Sequence, residues 1–295
     1  PVDDNSEFLT KGNTFGVTAF INTEGVTSPY MGITTEGIEI ISDGTKWTYA
    51  NTSDQAYWPT KDETLDFYAY APYNHPSITT KTFDKANGLT LEYTVPAEEA
   101  KQVDLMYASA LEQTKPTDKN SVTLPFKHAL TQVHFKVGTK TTNLKVDIAA
   151  NGIQIHNLGS LTMKSNQIDD AAWTLTGDAT AKYTVTSDAV TGDYTDGTEA
   201  NPYTEIGNAN NALMLLPQEF VAGDGTAENT GAYLTISCKI YQVLADGTTK
   251  IYLHGDAEAF APITVGISSA LPAEEGGEAT QIWQRNKKVT YNLLF

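Results

Sequence analysis

Apolar and polar residues alternate in short segments along most of the chain, and Gly, Asn, Asp and Pro bound those segments. Period-two alternation is what antiparallel strands with one buried face require. It predicts strands at Phe15 to Ile21, Gly37 to Ile41, Trp47 to Tyr49, Leu65 to Ala71, Leu89 to Val95 and Leu105 to Ala108. Further strands are predicted at Ser121 to Val137, Leu144 to Ile155, Ser160 to Lys164, Ala212 to Leu216, Ala232 to Val243, Lys250 to Leu253 and Lys288 to Leu294. No apolar stripe spanning three helical turns competes with them. The expected class is all-β.

Turn chemistry supports the same reading. Asp43-Gly44, Asn87-Gly88, Asn151-Gly152 and Asp246-Gly247 are dipeptides that supply the positive φ of tight turns. Asp246-Gly247 predicts a hairpin of Tyr233 to Val243 with Lys250 to Leu253. Pro125 lacks a donor, so the run from Ser121 to Val137 should bend, bulge or lie at an edge there. Gln113 to Asn120 and Ala181 to Asn211 read as irregular, the second as a long excursion rich in Thr, Asp, Gly and Asn. The polar stretch Gly138 to Asn143 is the natural seam between two domains, 1–140 and 141–295. No fixed-period repeat points to a solenoid or propeller.

Length agrees, because 295 residues exceed one domain at roughly 100 to 200 residues each. With 40% apolar and 19% charged residues the chain can bury two cores. Its 19 Lys and Arg against 36 Asp and Glu give a net charge of −17, which repels nucleic acid and anionic lipid. The sole arginine, Arg285, leaves no set of guanidiniums for gripping phosphate. One cysteine, Cys238, sits in an alternating apolar run and reads as a buried strand thiol. No apolar run reaches membrane-spanning length, and the start at Pro1 reads as a mature or trimmed chain.

The search for chemistry yields little. No Gly-rich phosphate loop, paired-cysteine zinc site, His-Glu-x-x-His helix or Gly-x-Ser-x-Gly elbow occurs. The acid pairs Glu98-Glu99, Asp169-Asp170 and Glu274-Glu275 lie near turn residues and read as solvated turns rather than a glycosidase pair. On an unbroken strand His128 and His134 would lie about 20 Å apart, too far for one metal. His75, His156 and His254 likewise read as structural. The loop Asp188 to Glu199 could offer oxygen ligands to calcium but lacks EF-hand spacing, so a solvated loop is the plainer reading. The expectation is a non-enzyme with no cofactor and no metal. Tyr68, Tyr70 and Tyr73 have two readings, as core and inter-sheet packing or as a ligand-facing aromatic row for stacking sugars.

Several clusters occur in a fixed order: Tyr57-Trp58-Pro59, Leu65 to Pro72, Asp104 to Ala108, Val122 to Phe135, Gly159 to Thr162, Leu215 to Gln218 and Trp283 to Tyr291. In this order they resemble the fimbrillin-like (Mfa-like and FimA-like) surface proteins of Bacteroides and its relatives. The resemblance implies two tandem transthyretin-like, immunoglobulin-like β-sandwiches, export as a lipoprotein to the outer membrane, and a place in a fimbria (pilus) or in cell adhesion. It also implies assembly by donor-strand exchange, with other fimbrial subunits or itself as partner. Maturation cuts in such proteins follow an arginine near the N terminus, whereas here the nearest basic residue is Lys11, a possible processing site. Lys288 to Leu294 reads as an integral strand, so tip, anchor and stalk roles stay open. The alternative is a glycan-binding surface lipoprotein, with host or bacterial glycans or proteins as partners.

Overall fold

The computed structural model describes residues 4–32, 36–59, 63–84, 88–117, 121–158, 162–166, 174–176, 181–207, 212–224, 231–270 and 282–295. A short helix, α1 (Asn5–Phe8), comes first, its free N–H groups capped by the Asp4 carboxylate through Ser6 N and Glu7 N. In chain order the strands are β1 (Thr14–Thr23), β2 (Val26–Met31), β3 (Ile38–Ser42), β4 (Trp47–Tyr49), β5 (Thr64–Ala71), β6 (Ile78–Asp84) and β7 (Gly88–Thr94). Next come β8 (Met106–Gln113), β9 (Lys127–His128), β10 (Thr131–Gly138), β11 (Leu144–Leu158), β12 (Thr162–Asn166), β13 (Thr174–Thr176) and β14 (Ala181–Thr184). The last are β15 (Val190–Gly192), β16 (Thr204–Ile206), β17 (Leu213–Leu215), β18 (Tyr233–Val243), β19 (Lys250–His254), β20 (Ala261–Gly266) and β21 (Lys287–Leu294).

Among the described residues these strands form four sheets. The first runs β4-β3-β1-β5-β8-β9, with β2 also on β1; the second runs β13-β12-β7-β6. In the third, β14-β11-β18-β19, strand β15 adds to β11 and β20 to β18; in the fourth, β16-β10-β17, strand β21 adds to β10. The strand pairs are antiparallel except β10 with β21, which run parallel from Thr131 beside Lys287 to Gly138 beside Leu294. The fold is an all-β sandwich fold.

Sheet faces explain the core. Phe20, Tyr68 and Tyr70 of the first sheet share one continuous apolar cluster with Leu89, Leu91 and Tyr93 of the second. The same cluster takes in Ile148, Ile155 and Leu234 of the third sheet and Val133 and Phe135 of the fourth. Trp283 is fully buried there, edge-on to Phe220 at 4.6 Å, with its indole N–H donated to the Tyr291 hydroxyl at 3.1 Å. A second cluster covers the opposite face of the first sheet, built on Phe15, Val17, Ala19, Leu65, Phe67 and Ala69. The stretch Gly138 to Asn143 joins β10 to β11, strands of different sheets, while β12, beyond that stretch, pairs with β7 before it.

The expected hairpin at Asp246-Gly247 forms, with Val243 beside Lys250 and the Asp246 carboxylate accepting from Thr248 N and Thr249 N. The Thr249 hydroxyl, which donates to the other carboxylate oxygen, and then these two backbone bonds hold the Asp246 carboxyl down to about 2. The run around Pro125 breaks outright: residues 121–126 lie in no strand, β9 is two residues long, and β10 starts at Thr131. The expected long excursion is corrected in part. Ala181 to Asn211 holds β14, β15 and β16, because isolated apolar residues such as Tyr183 and Ile206 are buried between polar neighbours. Strands β2, β6 and β20, poor in alternation and with Pro29 and Pro262 inside two of them, were not expected. Asn87, Gly159 to Leu161, Asp169-Asp170 and Glu274-Glu275 lie outside the described residues.

Candidate functional site

β1 is the element on which the first sheet depends. Gly16 to Asn22 pair with Tyr70 to Thr64 of β5 on one side. On the other, Thr14 to Val17 pair with β3 and Ala19 to Thr23 with β2, and the Thr18 hydroxyl donates to Met31 O at 2.7 Å across the join. Thr18 is fully buried. Alternation sends Phe15, Val17 and Ala19 into the smaller core and Phe20 into the larger.

Gly16 shows how tightly this strand is held. A Cβ there would meet the Tyr70 ring at 2.5 Å and Glu36 O at 2.8 Å, so a side chain is excluded where the ring crosses the strand. The Tyr70 hydroxyl donates to Glu36 O at 2.9 Å and accepts from Asn74 N at 3.3 Å. The Tyr68 ring covers Gly88 in the same manner, 2.3 Å from where a Cβ would stand. Burial pushes the Tyr68 hydroxyl up to about 12 and raises that of Tyr70 as well. Both rings are interior, so neither offers a face to a ligand. Tyr73 is half-buried and stacks on Tyr70, with 6.4 Å between centroids. Tyr68 and Tyr70 thus lie in the core, while Tyr73 stands half-buried beside them.

Lys11 sits on an exposed turn between α1 and β1. A cut there severs α1 and Phe8 but leaves β1 whole, and the next basic residue is Lys46, beyond β3. The exposed turn that follows β1 is Glu24-Gly25, with φ of 50° and 80° and open space around Gly25. Neither residue is basic, so a search for basic processing sites passes over it. Phe8 was also missed. It packs against Trp47 at 4.8 Å and Phe126 at 4.9 Å, and the Asp4 cap was the only signal in the sequence for the helix that carries it.

The remaining polar candidates are engaged structurally. His128 Nδ1 meets Asp104 Oδ1 at 2.9 Å in the first sheet, while His134 lies on β10 in the fourth. His156 stacks on Tyr233 at 4.5 Å, His254 Nε2 donates to Ala261 O at 3.0 Å, and His75 Nδ1 accepts from Ser77 N at 3.2 Å. In the acidic loop Asp193 pairs with Lys145, and Asp196 accepts from Thr198 Oγ1 at 2.6 Å and Thr198 N at 3.0 Å. Cys238 is buried on β18, which pushes its thiol up to about 11. Among the described residues no group of three or more His, Cys, Asp or Glu is placed to hold a metal. Among the same residues no helix is long and apolar enough to cross a membrane. Glu98-Glu99 departs from the expected solvated turn: Glu98 pairs with Lys101, but Glu99 is buried and accepts from Thr186 N at 2.7 Å.

Comparison with known proteins agrees with this architecture. A fimbrial protein from Bacteroides vulgatus superposes with a TM-score of 0.62 at 18% identity, over 95% of this chain and 88% of its own. A Bacteroides uniformis protein provisionally ascribed to cell adhesion gives 0.54 at 17% identity, over 97% of this chain and 87% of its own. At such identities the likeness speaks for the fold. No curated protein matches the sequence. The pattern that defines the fimbrillin-like proteins matches residues 2–295, nearly the whole sequence, and the chain belongs to that family.

Proposed function

We propose that this chain is a cell-surface fimbrial subunit or accessory adhesion protein that assembles by β-strand exchange, with β1 as the strand given up. The position of β1 carries this reading. It lies between β5 and the pair β3 and β2, so its loss leaves unpaired backbone groups along Thr64 to Tyr70 on β5. It also empties the pockets of Phe15, Val17 and Ala19 on one face and Phe20 on the other. An open edge with alternating pockets is the acceptor that an added strand needs. Release requires a cut beyond Thr23, and the Glu24-Gly25 turn is the accessible place for it. The donor is another fimbrial subunit or a second copy, and an N-terminal lipid anchors the precursor until that cut removes it together with β1. β21 is paired over its length with β10, so it donates only by leaving its own sheet.

The test is a specific protease site built into the Glu24-Gly25 turn. After cutting, the mass is followed by size exclusion with light scattering, with and without an excess of peptides from candidate donor strands. Loss of residues 1–24 with uptake of a peptide, or growth into oligomers, is expected. A cut protein that keeps its own N-terminal fragment and stays monomeric beside every donor overturns the reading.

A further inference from the structure

The outer face of the first sheet carries a cleft of about 540 Å³, within the roughly 300 to 1,000 Å³ of small-molecule sites. Its floor is Phe15, Val17, Leu65 and Phe67, and its walls are the aromatic side chains of Trp47, Tyr49, Tyr57 and Trp58. Tyr57 is 73% exposed on an irregular loop, while Trp58 beside it is half-buried and edge-on to Phe67 at 6.0 Å. The lining joins side chains of the sheet face and of the edge strand β4 to residues of irregular segments around Gln55 to Trp58, Lys115 and Val122, so ring faces and polar side chains dominate what an occupant would meet.

Two further observations narrow its chemistry. In a chain of net charge −17, the described lining holds one charged group, Lys115, and no Asp or Glu. Among the described residues, Lys115, the Gln55 amide and the indole N–H groups of Trp47 and Trp58 have no hydrogen-bond partner. Donors gathered among aromatic walls over an apolar floor call for a ligand that has both an apolar face and acceptor oxygens, one of them anionic.

We propose that this cleft binds a carboxylated sugar, a uronic acid residue of a glycan, with its C–H face against the aromatic walls and its carboxylate at Lys115. The site stands apart from the tyrosines of β5, whose rings are enclosed. It does not rest on strand exchange, because the cleft exists with β1 in place.

Saturation-transfer NMR and tryptophan fluorescence titration on the full chain, with methyl β-D-glucuronide against methyl β-D-glucoside, test the proposal. The glucuronide is expected to bind more tightly, and Lys115→Gln to weaken it by about tenfold, the scale of one charge-assisted hydrogen bond. Tyr57→Ala is expected to weaken both sugars. Both side chains are exposed, and an unchanged melting temperature checks that each variant is folded. No transfer to either sugar overturns the site. Equal binding of the two, unaffected by Lys115→Gln, overturns the acidic ligand, and binding that survives Tyr57→Ala unchanged overturns the location.

Discussion

On one side of β5 the rings of Tyr68 and Tyr70 belong to a core shared by several sheets, whereas on the other Leu65 and Phe67 meet a short helix, a turn and an unpaired segment. Both sides are buried, but they are closed by different means. The tyrosine side is sealed by strands whose backbone groups are tied into ladders. The leucine side is covered by Phe8, Trp58, Val122, Leu124 and Phe126, all partly buried, and the cleft lies among those covers. Burial of a sheet face is therefore no measure of how easily it can be uncovered. A face closed by pieces can be opened piece by piece.

The largest effect that tests this contrast is Leu91→Ala in the sealed core. It should cost about 2 to 5 kcal/mol of unfolding free energy, read from the urea midpoint, because the surrounding sheets cannot collapse into the cavity. Phe8→Ala on the other side should cost less, roughly 1 kcal/mol for a partly buried ring, and should speed amide exchange in β4 without altering β7. Equal losses for the two variants would erase the distinction between the faces.

The smallest effect concerns Glu99, whose buried carboxylate links the turn after β7 to Thr186. Burial raises this carboxyl above its ordinary value, so the folded chain holds the proton more tightly than the unfolded one. Its contribution to stability therefore falls as pH rises from the ordinary Glu range through the folded value. Glu99→Gln keeps an oxygen for the Thr186 N–H and removes the charge. It should raise the melting temperature at pH 7 and leave it unchanged near pH 4; a drop at pH 7 would show that the charge stabilises the link.

The strands legible in the sequence were those with strong alternation, such as β1, β5, β11 and β18, and the hairpin fixed by Asp246-Gly247. Alternation in Leu65 to Tyr70 separates Leu65, Phe67 and Ala69 on one face from Tyr68 and Tyr70 on the other. What it could not reveal is that both faces are inside, because tyrosine suits a core and a wet surface equally. Gly16 and Gly88, which make room for those rings, look in sequence like ordinary strand and turn glycines. Short strands such as β15 and β16 have too few residues for a period to emerge. The cleft was missed for a related reason: its lining comes from separate stretches of the chain, around Phe15, Trp47 to Trp58, Phe67 and Lys115, and only folding brings them together.

The parallel pairing of β10 with β21 governs the order in which the molecule can be made. Thr131 finds Lys287, and each later pair keeps the same long separation. Closing so large a loop costs chain entropy before any contact repays it, which makes the step slow compared with the β18–β19 hairpin. The hairpin and the β1–β2 turn can form while synthesis proceeds, but one side of β10 stays bare until residues 287–294 arrive. The pairing of β10 with β21 thus closes late, and a chain stalled before it leaves the backbone groups along one edge of Thr131 to Gly138 open to a strand of whatever protein is nearby.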